Sequence, residues 1–412
     1  MNTVLHRAAF AALLLGTAAA GTFAMETAAY AAAARAPAGP TVSRRVGPPL
    51  VESQKAVNAG DLALALTKAK EADAVADKTP YDNYQIARVL AAIYIRQMDF
   101  TGALTAYERC IETGAAPDAE KGSNFSMATL LSYNAKDYAK TIKYGVEAKS
   151  MGALDDQGQM ILTQSYFLSN DFAGAERLGK EIIMAKAATG AKPDKRVYEF
   201  IYNSQLKLNN QARANETLEQ LTLADPTPDN WRRLIDRGFT IPGVTEPQLL
   251  NLYRLRVLTN AMDATDYLAM AGASLQQGLP EEAKNMLQKG MMAGTLPADR
   301  AQNLLTQAQQ MGARDAAALA DLEKAGAAAR EGETDVKLGE SLYAYGRLAD
   351  AETALKRGIG KGGVKDVANA NLVLGIVLLA QGKKDEARQA FAGATSAQVT
   401  PIAHLWTVYS QG

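Results

Sequence analysis

The chain has 412 residues, 48% of them hydrophobic, and its 44 basic side chains balance 44 acidic ones. A chain this long can bury one or more sizeable cores and by length alone would be two or three globular domains, while zero net charge argues against a nucleic-acid binder, which needs a basic footprint. Two histidines (His6, His404) and one cysteine (Cys110) all but exclude Ser-His-Asp and Cys-His catalysis and His-rich zinc sites, and they rule out an intramolecular disulfide.

The N-terminus reads MNTVLHR and then AAFAALLLGTAAAGTFA. This order of basic, apolar and small residues predicts a secretory signal peptide over residues 1–31, cleaved after Ala31 or after Ala24, and hence an exported, periplasmic protein with no integral membrane span once the signal is removed. Residues 32–49, AAARAPAGPTVSRRVGPP, carry Pro, Gly and Arg without an apolar period and are expected to form a flexible linker.

From residue 50 onward, short turn signals recur. Taking Asp61, Asp99, Asp137, Asp171 and Asn210 as anchors gives spacings of 38, 38, 34 and 39 residues; in the C-terminal half Gly278, Gly312, Gly346 and Gly382 follow at 34, 34 and 36. Gly243 falls midway through the gap between Asn210 and Gly278, so the reading is ten turns in one register. Each turn is flanked by two stretches with apolar residues three or four apart, the helix period. Tyr84, Ala87, Leu90, Ala91 and Tyr94 mark one first helix, and Ala103, Ala106, Tyr107 and Cys110 mark its partner. The predicted organisation is an N-terminal array over 50–226, an irregular middle pair over 227–260, a C-terminal array over 261–397, and a capping helix with a tail over 398–412.

Leu338-Gly339 and Leu374-Gly375, the first-helix Tyr94 and Tyr166, the small residue after the turn (Ala65, Ala103, Ala175, Ala214, Ala283, Ala351, Ala387), the bulky second-helix Tyr107 and Phe391, and the terminal Pro226 together resemble the tetratricopeptide repeat. The resemblance spans about residues 50–397. It lacks the family's first-helix Trp and has Thr141 in place of the small Ala once. It implies an all-α, right-handed superhelical solenoid of about ten antiparallel helix pairs, closed by a short C-terminal capping helix. It also implies a groove lined by the first helices, which puts Gln85, Arg88, Arg96, Tyr133, Asn134, Gln157, Gln164, Phe167, Arg196, Glu199 and Asn203 on the binding face. Amides and guanidinium groups there would hold an extended peptide backbone, and Tyr and Phe would offer apolar platforms.

The chemistry of a catalyst is sparse. RGIGKGGVKD at 357–366 lacks the GK[ST] ending of a phosphate loop and reads as a turn between repeats. Asp155-Asp156 and Glu281-Glu282 are expected at helix starts, Cys110 in packing, and His404 on the exposed side of a closing helix whose Ile402, Leu405, Trp406 and Tyr409 cover the last repeat. No catalytic residue, cofactor or metal site is expected. The reading is a non-catalytic scaffold or adaptor for a protein or extended peptide in envelope assembly, secretion or an outer-membrane complex. The alternative is a carrier or structural module in polysaccharide or peptidoglycan handling.

Overall fold

The computed structural model describes residues 40–411; the signal segment expected over 1–31 and the linker up to residue 39 lie outside the described residues. Among the described residues there are twenty α-helices, one 3-10 turn and no strand. The first ten helices form five pairs: α1 (Gly47–Ala59) with α2 (Leu62–Asp73), α3 (Pro80–Arg96) with α4 (Phe100–Glu112), α5 (Asp118–Asn134) with α6 (Tyr138–Ser150), α7 (Asp156–Leu168) with α8 (Phe172–Ala188), and α9 (Lys195–Lys207) with α10 (Gln211–Ala224). The middle is irregular: α11 (Pro228–Asp236), a 3-10 turn at Gly238–Thr240, and α12 (Glu246–Leu258). Then come α13 (Ala264–Gln276) and α14 (Pro280–Met292), a single α15 (Ala298–Ala328), α16 (Glu333–Ala344) with α17 (Leu348–Lys361), α18 (Val367–Ala380) with α19 (Lys384–Gly393), and α20 (Val399–Tyr409).

Eight of the reversals share one backbone solution. The residue before the anchor takes the left-handed conformation, at Gly60, Met98, Lys136, Asn170, Asn209, Gly278, Gly346 and Gly382, with φ between 56° and 80°. The anchor's N–H then returns to a carbonyl five residues back, as in Asp99 to Tyr94 (2.8 Å), Asp137 to Ser132 (2.9 Å) and Arg347 to Leu342 (2.9 Å). In the N-terminal half the anchor side chain also caps the next helix, accepting from the N–H three residues on: Asp61 from Leu64, Asp99 from Gly102, Asp137 from Lys140, Asp171 from Gly174, Asn210 from Arg213. In the C-terminal half the anchors are Leu279, Arg347 and Lys383, which make no such cap. There the first helical turn carries Glu281 and Glu282, Asp350, or Asp385 and Glu386, which complement the helix dipole instead. Four residues after each anchor stands a fully buried small side chain, Ala65, Ala103, Ala175, Ala214, Ala283, Ala351 or Ala387. The exception, Thr141, is equally buried and satisfies its hydroxyl on the Asp137 carbonyl at 2.8 Å.

The reversal expected at Gly312 does not occur. That glycine lies inside the 31-residue α15 without a left-handed φ. One glycine weakens a helix by about 1 kcal/mol, too little to end one whose flanks are mostly Ala, Gln, Leu and Arg. The end of the expected linker differs as well. Val46 is fully buried, Val42 packs on the same core, and the Ser43 N–H donates to Asp82 at 2.8 Å, so residues 42–46 are fastened to α1 and α3 by two valines the composition did not mark as a core pattern.

The described chain forms two compact units, one of residues 40–193 with 203–209 and one of residues 194–202 with 210–411. In the second unit α20 covers the last pair, with Ile402, Leu405 and Trp406 buried as expected. It also reaches back to the middle helices. The Trp406 indole N–H donates to the Asn251 carbonyl of α12 (3.2 Å), and the Tyr409 and Trp231 rings meet edge-on at 5.7 Å. Gln248 and Asn251 of α12 bond Asp366 and Asn369 at the start of α18, each at 2.8 Å. This unit is therefore closed on itself rather than stacked only between sequence neighbours.

Candidate functional site

In the first unit the expected groove residues fall into distinct settings. Gln85 and Arg88 belong to a polar ladder between the first helices of two consecutive pairs. The Tyr84 hydroxyl donates to Glu120 of α5 at 2.5 Å, Arg88 pairs with the same carboxylate at 3.2 Å, and Asn124 donates to the Tyr84 oxygen at 3.5 Å. Gln85 in turn donates to the Tyr81 hydroxyl at 2.8 Å and accepts from Arg88 at 3.5 Å. Burial, and then the bond to Glu120, pushes the Tyr84 hydroxyl well above its ordinary pKa, so this hydroxyl stays a donor. Arg96 instead donates to the Val57 carbonyl at 2.5 Å and closes the last turn of α1.

Tyr133 and Phe167 occupy the same place in successive repeats. Each meets the aromatic residue that follows the next anchor, Tyr138 at 6.1 Å and Phe172 at 5.3 Å between ring centroids, so both rings help to join the two helices of a pair. Asn134 and Gln157 are exposed, and Gln164 is half-buried on α7. Asn203, also half-buried, completes the residues that fall in this unit. Arg196 and Glu199 belong to the second unit: Arg196 is exposed and bonded to Asp194, and Glu199 pairs with Arg233 at 2.8 Å. The eleven residues are therefore divided between two bodies.

The carboxylates and the two scarce reactive residues are accounted for locally. Asp155 caps α7 through the Gly158 N–H (2.7 Å), and Glu281 pairs with Lys284 (2.7 Å). Cys110 is buried against α3, and burial pushes its thiol up to about 12, which suits packing rather than nucleophilic chemistry. His404, its side chain 58% exposed, meets Glu219 at 2.8 Å. Among the described residues no group of His, Cys, Asp and Glu could hold a metal ion, and no helix is long and apolar enough to cross a membrane.

The second unit holds a polar chamber that sequence reasoning missed. Arg254 of α12 and Glu282 of α14, both almost wholly buried, form a two-bond ion pair at 2.7 and 2.8 Å. Arg254 also donates to Asn251 at 2.7 Å and lies over the Tyr343 ring of α16 at 5.2 Å. A bidentate guanidinium–carboxylate pair is the arrangement in which a buried charge is tolerated. Beside it opens a cavity of about 200 Å³ lined by Arg254, Glu282, Asn285, Tyr343, Met270 and Met286, among others. Glu282 reads in sequence as a helix-start carboxylate. The signal that could have found the chamber is Arg254 and Arg256 inside the apolar run LLNLYRLRVL, since charges in a helix that is apolar on every side need buried partners.

No family model matches the chain, and no curated protein does. Solved structures do resemble it. They include a tetratricopeptide repeat protein from Parabacteroides merdae (13% identity, 88% of this chain and 99% of that one, TM-score 0.28) and the TPR2AB-domain:pHSP90 complex of yeast Sti1 (14% identity, 64% and 98%, TM-score 0.31). A third is Naa15/Naa10 bound to HypK-THB (15% identity, 86% and 58%, TM-score 0.36). The repeat is a property of the chain's own helix pairs. Eight reversals place a left-handed residue, an anchor and a buried residue at the same three positions, the first five 34 to 39 residues apart and the last three 68 and 36 apart. By that recurring geometry the described chain is an all-α array of antiparallel helix pairs with an irregular middle.

Proposed function

We propose that this chain is a non-catalytic scaffold that binds a protein or extended peptide along the first helices of its N-terminal pairs. The carrying observation is the ladder from Gln85 and Arg88 through Tyr84 to Glu120 and Asn124. It joins α3 and α5; Tyr84, Gln85 and Asn124 are buried within it, and it holds the partly exposed Arg88 guanidinium and Glu120 carboxylate in fixed positions before any partner arrives. A preordered row of donors and acceptors suits a peptide backbone, because less side-chain entropy is lost on binding. Exposed Asn134 and Gln157 extend the first-helix surface of the next two pairs. We further propose that the protein works in the periplasm, in envelope assembly or secretion, a reading supported by the basic, apolar and small-residue order of residues 1–31.

Photo-crosslinking in intact cells tests the first reading. A photoreactive residue at Asn134 or Gln157 should trap a discrete partner, whereas one at Thr105 or Arg177, exposed on second helices, should not. Equal trapping from both helix sets would remove the first-helix surface as the binding face. Export is tested separately by cell fractionation with the mass of the mature N-terminus. A chain recovered in the cytoplasm with residues 1–31 intact would end the periplasmic reading.

A further inference from the structure

The chamber of the second unit has hydrogen-bonding groups that its own ion pair leaves unspent. A guanidinium carries five N–H donors, and Arg254 uses three of them, two on Glu282 and one on Asn251. Among the described residues the other two have no partner, although the side chain is only 3% exposed. The Tyr343 hydroxyl likewise makes no hydrogen bond among the described residues, and burial raises its pKa, so it keeps its proton and can donate. Asn285 gives an amide N–H to the Ala344 carbonyl at 3.3 Å, while among the described residues its carbonyl oxygen accepts nothing. Arg254, Tyr343 and Asn285 all line the cavity, together with the apolar Met270, Met286 and Val257.

The charge of the wall is already balanced. Among the residues that line the cavity the one carboxylate is Glu282, and Arg254 holds both of its oxygens. An entering cation would meet the guanidinium without a free carboxylate to receive it. An entering anion would set a second carboxylate beside a guanidinium that is already neutralised, and would leave a net negative charge in a buried place. A neutral group that both accepts and donates meets neither penalty, and it relieves the cost of buried donors and acceptors left unpaired.

We propose that this cavity binds a neutral carboxamide, its carbonyl oxygen accepting from Arg254 and Tyr343, its N–H donating to Asn285, and its alkyl stem lying along the methionines. The volume suits a short amide, since about 200 Å³ lies below the roughly 300 Å³ at which drug-sized pockets begin. The amide could come from a free small molecule or from a glutamine side chain of a bound protein, and the two share one chemistry. Nothing in this inference depends on the first-helix surface of the other unit.

The experiment is calorimetric titration of the mature chain with four probes: pentanamide, its anionic counterpart pentanoate, its cationic counterpart pentylamine, and Nα-acetyl-glutamine methylamide. Pentanamide should bind saturably, and pentanoate and pentylamine at least tenfold more weakly. Tyr343→Phe keeps the ring over Arg254 and removes one donor, so it should weaken pentanamide about three- to tenfold. Ala344→Leu, which fills the cavity from its wall, should weaken it at least tenfold, with circular dichroism confirming that both variants remain folded. Tighter binding of pentanamide would identify a free amide as the source, and tighter binding of the capped glutamine a protein side chain. Pentanoate or pentylamine equal to pentanamide, folded variants that bind as the parent does, or no saturable heat from either amide would each overturn the proposal.

Discussion

At the scale of single residues, the repeated turn is a controlled comparison of side chains at one backbone position. Lys136 and Met98 hold φ of 59°, where a Cβ costs roughly 1–2 kcal/mol. Replacing either by Gly removes that strain and loses roughly 0.5–1 kcal/mol to unfolded-chain entropy. A net gain of about 0.5 kcal/mol is expected in urea denaturation. Asn170 and Asn209 tolerate the same conformation and should gain little, while Gly346→Ala should lose about 1 kcal/mol. Glu340 makes the second residue-scale prediction. Because folding lifts its carboxyl from 4.5 to about 7, the folded chain holds more of this proton than the unfolded chain across that window. The group's contribution to stability is therefore greatest below about 4.5 and declines as pH rises through 7. Glu340→Gln should stabilise the chain at pH 8, by up to about 3 kcal/mol, and change little at pH 5. A larger gain at pH 5 than at pH 8 would contradict the sign.

At the scale of elements, the pairs are held together by close contact between a first helix and its partner, and glycine marks where the contact is tightest. A Cβ on Gly375 would run into the Phe391 ring, so Gly375→Ala should cost roughly 1–3 kcal/mol by forcing α18 and α19 apart. Gly360 of α17 has open space around it, and there the same substitution should stabilise the helix by up to about 1 kcal/mol. Thermal melts of the two variants should move in opposite directions; shifts of the same sign would show that pair contact does not govern these glycines. This contrast also explains what the sequence could and could not disclose. The turn is a local event fixed by an anchor, a left-handed residue and a small residue four positions on, so its recurrence was legible by spacing. Gly312 misled because spacing alone does not say whether the neighbouring residues leave the helix, and Ala-rich flanks do not. Among the groove residues, Gln85 and Arg88 emerge in one ladder, but Tyr133 and Phe167 turn toward their own partner helices. Helical periodicity places a residue on a face without saying whether a bulky neighbour 5 residues on will claim it. The chamber around Arg254 was legible only in part: two arginines in an apolar run call for buried partners, but its members come from α12, α13, α14 and α16, and no local pattern brings those helices together.

At the scale of the whole molecule, the second unit departs from what a linear array implies. In a linear array each repeat touches only its neighbours, so loss of the last helix should loosen the last pair and leave distant repeats alone. Here α20 and the start of α18 are bound to α12 by contacts between residues 118 to 155 positions apart: Gln248 to Asp366, Asn251 to Asn369, and Trp406 to the Asn251 carbonyl. Trp406 is fully buried and also meets Phe391 at 6.2 Å, so it joins the last pair to the middle of the chain. Ending the chain after Ser396 should therefore raise amide exchange in 246–258 as well as in 384–393, because α12 loses the cover over Asn251 and with it cooperative support. Trp406→Ala should reproduce the pattern more mildly, with a loss of about 3–5 kcal/mol for the unit that contains it. Helices α3 to α6, in the other unit, serve as the internal reference and should keep their protection. Exchange that rises in 384–393 alone would mean that α20 acts as a simple end cap and that closure onto α12 contributes little. Exchange that rises in α12 as strongly as in the last pair would establish the second unit as one cooperative body, whose chamber at Arg254 is shaped partly by a helix that lies 145 positions or more away in sequence, Val399 being the nearest of its residues to Arg254.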